Sequence, residues 1–134
     1  MLDLIIRNGK CYIDGELKEV DVAINDKKIH QIGQISDEAK ETIDASGHTV
    51  LPGCIDTQTH FREPGSTDTE DLYSGSRAAI AGGITSVFEM PNTNPPTSNK
   101  KEFQRKLDLA KNRMYCNYAF YFGATAENAE DLAS

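Results

Sequence analysis

Four polar side chains alternate along one short segment, at Asp56, Gln58, His60 and Arg62. A β-strand sends successive side chains to opposite faces, so these four side chains should point the same way. Such a row does not build an apolar core. An imidazole is a good zinc ligand, and a guanidinium matches a carboxylate with two parallel hydrogen bonds. The spacing therefore predicts a site that could bind a metal ion or an anionic substrate.

A second informative segment follows about thirty residues later. Residues 82–97 read Gly-Gly-Ile-Thr-Ser-Val-Phe-Glu-Met-Pro-Asn-Thr-Asn-Pro-Pro-Thr, which predicts a strand followed by a proline-rich loop. Asn92 comes directly after that strand. Taken alone, it is also a typical turn residue between prolines.

Residues 52–65 and 82–97 together resemble the first two barrel strands of the cyclic amidohydrolases, and most closely those of the dihydroorotases. The dihydroorotase pattern is Asp-x-His-x-His-x-Arg-Glu-Pro-Gly, which residues 56–65 match except at Gln58. The resemblance implies an α/β fold, an incomplete (β/α)8 barrel of TIM type. A whole barrel takes about 250 residues, so residues 52–134 would supply its first three strand–helix units. A small antiparallel β-unit, residues 1–51, would precede them.

The resemblance also assigns roles to the polar residues. His60 is implied as a metal ligand, with Gln58 in the place of the family's first histidine ligand and zinc, one or two ions, as the cofactor. Arg62 and Asn92 would hold the substrate carboxylate. A glutamine oxygen is a hard ligand better suited to calcium or magnesium, so Gln58 weakens the expected zinc site. The remaining ligands and the general base come from later strands in the family, so no catalytic residue is expected before Ser134.

The activity that the resemblance implies is that of dihydroorotase, the zinc-dependent, reversible hydrolysis of dihydroorotate to N-carbamoyl-aspartate in pyrimidine biosynthesis. The 134 residues alone should be inactive. Allantoinase and hydantoinase are alternatives, although Arg62 and the Met-Pro-Asn-Thr-Asn-Pro run favour dihydroorotase. Another alternative is a non-catalytic subunit that assembles with aspartate transcarbamoylase or with copies of itself. Gln58 favours that alternative, whereas Arg62 and Asn92 count against it.

Composition excludes several other partners. The net charge of −7 and a pI near 4.9 argue against nucleic acid and anionic membranes, which bind cationic surfaces. The N-terminus has no signal peptide or spanning segment, so a cytoplasmic location is expected. Cys11, Cys54 and Cys116 are odd in number and widely spaced, which favours neither a disulfide framework nor a thiolate zinc site.

The elements that must position the site divide at Pro52-Gly53. Before it, Asn8-Gly9 and Asp14-Gly15 predict hairpin turns in the antiparallel unit. After it, strands are predicted at residues 54–60, 85–90 and 117–122, alternating with helices as in a parallel sheet.

Helix boundaries are predicted from capping residues. A Thr67/Glu70 capping box should start the first helix, a cap near Ser98 should start the second, and a third should begin at residues 126–133. Glu63 precedes a proline, which favours a loop-shaping role, and no role follows for Glu89.

Overall fold

The computed structural model describes residues 1–129, which divide into two compact units. The first unit is Met1–Pro52, and the second begins at Gly53. Neither helix in the described part of the chain is long and apolar enough to cross a membrane.

The first unit is a five-stranded sheet with the central order β3-β2-β1-β4, and β5 also pairs with β1. Its strands are β1 Leu2–Ile13, β2 Glu16–Asn25, β3 Lys28–Gly33, β4 Ala39–Asp44 and β5 Thr49–Val50. Buried apolar side chains of Leu2, Ile5, Ala23 and Ile35 form its core.

Two expectations for this unit need correction. The sheet is mixed, because β4 and β5 both run parallel to β1. Asp14-Gly15 does form the hairpin turn between β1 and β2, with positive φ at both residues. Asn8-Gly9, in contrast, lies inside β1, where the pairing with β2 shifts register. A positive φ of 61° at Asn8 absorbs that irregularity, so the same dipeptide chemistry makes a bulge instead of a turn.

The second unit is a three-stranded parallel sheet with the order β6-β7-β8. Its elements are β6 Cys54–Thr59, α1 Leu72–Ala81, β7 Ile84–Glu89, α2 Lys100–Ala110 and β8 Asn117–Phe120. Buried side chains from the strands, the helices and their connections form one core: Phe61, Leu72, Ala79, Val87, Ala110, Cys116 and Phe120. This strand–helix alternation is the predicted α/β pattern.

Helix α1 begins five residues later than Thr67. Asp71 is its N-cap, and a capping box joins Asp71 to Ser74 through hydrogen bonds in both directions. The Thr67/Glu70 box is therefore wrong. The physical reason lies outside the helix: the Glu63 carboxylate accepts the backbone N–H of Leu72 and fixes the first turn there. Gly82 ends the helix.

The cap predicted near Ser98 is confirmed, whereas the third helix is not. Asn99, one residue after Ser98, caps α2 by accepting the N–H of Glu102 at 2.9 Å. The predicted third helix does not begin at residue 126: residues 126, 127 and 129 lie in turns, and none of residues 126–129 is helical. There the Asn128 side chain accepts the N–H of Thr125 at 2.7 Å. Residues 130–133 of that prediction lie outside the described residues.

Gly75 is a point where α1 packs against the segment that follows β6. It is buried in the helix, and a Cβ atom placed on it would overlap the ring of Phe61. Phe61 lies between His60 and Arg62, so the missing side chain at position 75 decides how near α1 lies to the candidate site.

We expect Gly75→Ala to destabilise the longest natural chain that contains these residues. Overpacking against a buried ring costs about 1–3 kcal/mol, which outweighs the gain of up to about 1 kcal/mol in helix propensity. Gly82→Ala is the matched control, because its φ of −87° suits alanine and a Cβ would meet only two carbonyl oxygens at 3.5 Å. Denaturant unfolding measures both. A Gly75→Ala variant as stable as the control would show that the ring moves freely.

Candidate active site

The carboxyl ends of β6 and β7 lie side by side. Thr59 is paired with Glu89, and Met90 donates its backbone N–H to the carbonyl of Thr59 at 2.9 Å. Parallel strands end at the same edge of a sheet, so the residues that follow each strand emerge together. This brings His60 and Asn92, 32 residues apart in the sequence, into contact.

The contact joins Nδ1 of His60 to Oδ1 of Asn92 at 3.0 Å. An amide oxygen can only accept, so Nδ1 of a neutral His60 carries the hydrogen and Nε2 keeps its lone pair. A hydrogen bond on one imidazole nitrogen that leaves the other free is the usual arrangement of a metal-binding histidine. Within residues 1–129, no hydrogen bond uses the Nδ2 group of Asn92, which can therefore donate to a substrate oxygen.

The predicted row of four side chains is interrupted. The pairing of β6 with β7 shifts register between Asp56 and Thr59, so strict alternation does not run through this strand. The Asp56 carboxylate accepts the backbone N–H of Gln58 at 2.9 Å and is thus used within its own strand. Gln58 and His60 are both exposed.

Arg62 lies in the loop after β6 and is exposed. Among the described residues, its guanidinium takes part in no ion pair. Arg62 is nevertheless close enough to Glu89 to oppose the rise in the pKa of that carboxyl group. A guanidinium in this position can donate hydrogen bonds to an anionic group of a ligand.

Glu63, the neighbour of Arg62, is buried and fully engaged. Both of its carboxylate oxygens accept from the guanidinium of Arg113, at 2.7 and 3.0 Å, and one also accepts the N–H of Leu72 at 3.0 Å. Glu63 therefore ties the Arg62 loop to the start of α1 and to the segment after α2. This agrees with the predicted loop-shaping role.

Sequence reasoning missed the ion pair between Glu89 and Lys106, whose side chains are both 0% exposed. Burial raises the pKa of Glu89 to about 7, although Lys106 and Arg62 act in the opposite direction. Burial likewise lowers the pKa of Lys106 against the effect of Glu89. Position 106 follows Phe103 by three residues and precedes Ala110 by four, so Lys106 lies on the apolar stripe of α2. A lysine on such a stripe was the sequence signal that could have predicted a buried ion pair.

The described residues do not make a complete metal site. No cluster of three or more histidine, cysteine, aspartate or glutamate side chains suited to a metal ion occurs in residues 1–129. His60 fits the role of one ligand, and Gln58 could offer only a weak second one.

We expect Arg113→Met to destabilise the longest natural chain that contains this loop by about 1–3 kcal/mol, because it leaves the buried Glu63 carboxylate with one hydrogen bond. Arg105→Met is the control, since the Arg105–Glu102 pair is at the surface of α2 and its loss should change stability by no more than about 0.5 kcal/mol. Equal effects of the two substitutions on urea unfolding would contradict the anchoring role of Glu63.

Comparison with known proteins places these features in a family. Residues 49–133 match the family model described as "Amidohydrolase family". An allantoinase of Escherichia coli O1:K1 / APEC is 41% identical over 131 residues, which cover 97% of this chain and 29% of that protein. The chain thus spans less than a third of the length of such curated relatives.

Solved structures give the same result. L-Hydantoinase (dihydropyrimidinase) from Arthrobacter aurescens matches with a TM-score of 0.90 and 31% identity, over 98% of this chain and 30% of that one. Dihydropyrimidinase from Brevibacillus agri NCHU1002 matches with a TM-score of 0.82 and 31% identity, over 99% and 29%. These relatives bear the names of the alternative activities and not that of dihydroorotase. Because the family match runs from residue 49 to residue 133, the chain belongs to the amidohydrolase family, within the cyclic amidohydrolase superfamily.

Proposed function

We propose that this chain is the amino-terminal part of an enzyme that opens a cyclic amide by hydrolysis, on a ring of the allantoin or hydantoin type. The observation that carries the proposal is the His60–Asn92 contact at the carboxyl ends of β6 and β7. That contact leaves the Nε2 lone pair of His60 and the Nδ2 group of Asn92 available to other partners. The names of the relatives support the class of ring.

Each residue has a definite task in this proposal. Asn92 holds His60 in the tautomer with Nδ1 protonated, and its Nδ2 group donates to an oxygen of the bound ring. His60 would hold zinc through Nε2, with Gln58 as a weak additional ligand. Zinc, when bound, would lower the pKa of a water molecule toward 7. The general base and the other ligands would come from residues outside this chain.

Dihydroorotate is the second candidate substrate, and a specific observation favours it. Arg62 is exposed, has no ion-pair partner among the described residues and lies in an Arg-Glu-Pro-Gly loop that Glu63 anchors. Dihydroorotate carries a carboxylate for Arg62 to bind, whereas allantoin and hydantoin do not. Carbamoyl-aspartate, the product, would bind in the same way. Self-association and binding to aspartate transcarbamoylase remain predictions.

The longest natural chain that contains these residues should be assayed with allantoin, hydantoin, dihydrouracil and dihydroorotate, with kcat/KM determined for each from product formation. Hydrolysis of at least one ring is expected. Failure on all four, in a protein loaded with zinc, would contradict the proposal and favour the non-catalytic subunit.

Substitution of Arg62 by lysine then separates the two candidates. For dihydroorotate, loss of one charge-assisted hydrogen bond costs roughly 1.5–3 kcal/mol, which is about 10- to 150-fold in kcat/KM. For rings without a carboxylate, kcat/KM should change much less. Arg105→Lys, at the surface of α2, is the control, and zinc content should be the same in all three proteins. An equal loss on every ring would show that Arg62 supports the loop rather than binding a carboxylate.

Gln58→His tests the metal ligands. If position 58 faces the metal with His60, a second imidazole should raise the zinc affinity or stoichiometry of the longest natural chain. Zinc content after dialysis and a competition titration with a chelator give the two quantities. Unchanged binding would place Gln58 outside the metal site, as the register shift beside it allows.

A further inference from the structure

The buried Glu89–Lys106 pair lies at the carboxyl end of β7, three residues before Asn92 in sequence. Glu89 is the last residue of β7, and Lys106 reaches it from the middle of α2. The Lys106 ammonium has two further contacts: it donates to the carbonyl oxygen of Met90 at 3.1 Å and lies 5.2 Å from the centre of the Phe120 ring. One cation thus joins α2, the end of β7 and β8.

The contact with Met90 constrains the path of the chain toward Asn92. The Met90 carbonyl belongs to the planar peptide group that enters Pro91, so holding the oxygen fixes the plane. Proline then fixes its own φ near −65°. Little backbone freedom is left before Asn92. Further along the loop, Thr97 donates its N–H to the carbonyl of Pro91 at 2.9 Å, which fixes the other end of the turn.

Stability alone does not explain a buried ion pair at this place. Replacing such a pair with apolar side chains of similar size is often neutral or stabilising, because the desolvation penalty disappears. An apolar pair would fill the same space between α2 and β7. It could not, however, donate a hydrogen bond to the Met90 carbonyl.

We propose that Lys106, held in place by Glu89, is a positioning residue that sets the Met90–Pro91 peptide plane and thereby holds the Asn92 amide against His60. The effect of this positioning on catalysis rests on the proposed function. The effect on the His60–Asn92 contact is independent of the proposed function.

The decisive variant is Glu89→Leu/Lys106→Met in the longest natural chain, which keeps the volume and removes both charges. We expect it to fold with a melting temperature close to that of the parent. In the zinc-free protein, the ¹⁵N chemical shifts of the His60 ring should move from those of an Nδ1-protonated imidazole toward those of a mixture of tautomers. The kcat/KM for the preferred ring should fall about 10- to 100-fold, as expected for a misplaced binding group.

Three further variants calibrate the result. Asn92→Leu defines the His60 chemical shifts in the absence of the amide partner. Lys101 is an exposed lysine on α2, the helix that carries Lys106, and Lys101→Met should change neither the chemical shifts nor the kinetics. Glu89→Gln keeps the Lys106 donor and should keep the parental His60 shifts.

Parental shifts and kinetics in the double variant would overturn the inference, and so would an unfolded double variant, because the pair would then serve stability. If no ring is hydrolysed but the His60 shifts respond as expected, the positioning role stands and the proposed function falls.

Discussion

Parallel pairing at the ends of β6 and β7 is the constraint on which the candidate site depends. Because Thr59 lies opposite Glu89, the next residues of both strands leave the sheet at one edge. No local preference could bring His60 and Asn92 together across 32 residues of sequence. The loops that follow the two strands then place the side chains. The Glu63–Arg113 ion pair anchors the loop after β6, and the Glu89–Lys106 ion pair anchors the loop after β7.

Burial divides the charged residues at this edge into two groups. Glu63 and Glu89 are buried and paired with cations, whereas Arg62, next to Glu63 in sequence, is exposed. A buried carboxylate without a partner would be costly, so the paired groups have fixed geometry. An exposed guanidinium on a fixed loop keeps its hydrogen-bonding capacity for a ligand. The fold thus leaves the Arg62 guanidinium without an ion-pair partner among the described residues.

The sequence was sufficient where the relevant information is local or carried by a motif. The strands of the second unit and the place of His60 and Asn92 at their ends could be predicted from alternation and from two matched segments. The start of α1 could not be predicted in this way, because the hydrogen bond that fixes it joins Leu72 to Glu63, nine residues earlier. The parallel pairing of β4 with β1 also depends on distant contacts. Ring specificity stayed open for a different reason: Arg62 favours a carboxylate-bearing ring, while the relatives are named for rings without one.

The close approach of Gly75 to Phe61 has a consequence for how such sequences can diverge. Position 75 cannot accept a side chain while the Phe61 ring stays where it is, because a Cβ atom there would overlap the ring. Drift at position 75 therefore requires a compensating change at Phe61. Since Phe61 lies between His60 and Arg62, a change at position 75 of the helix would also act on the backbone that carries these two residues.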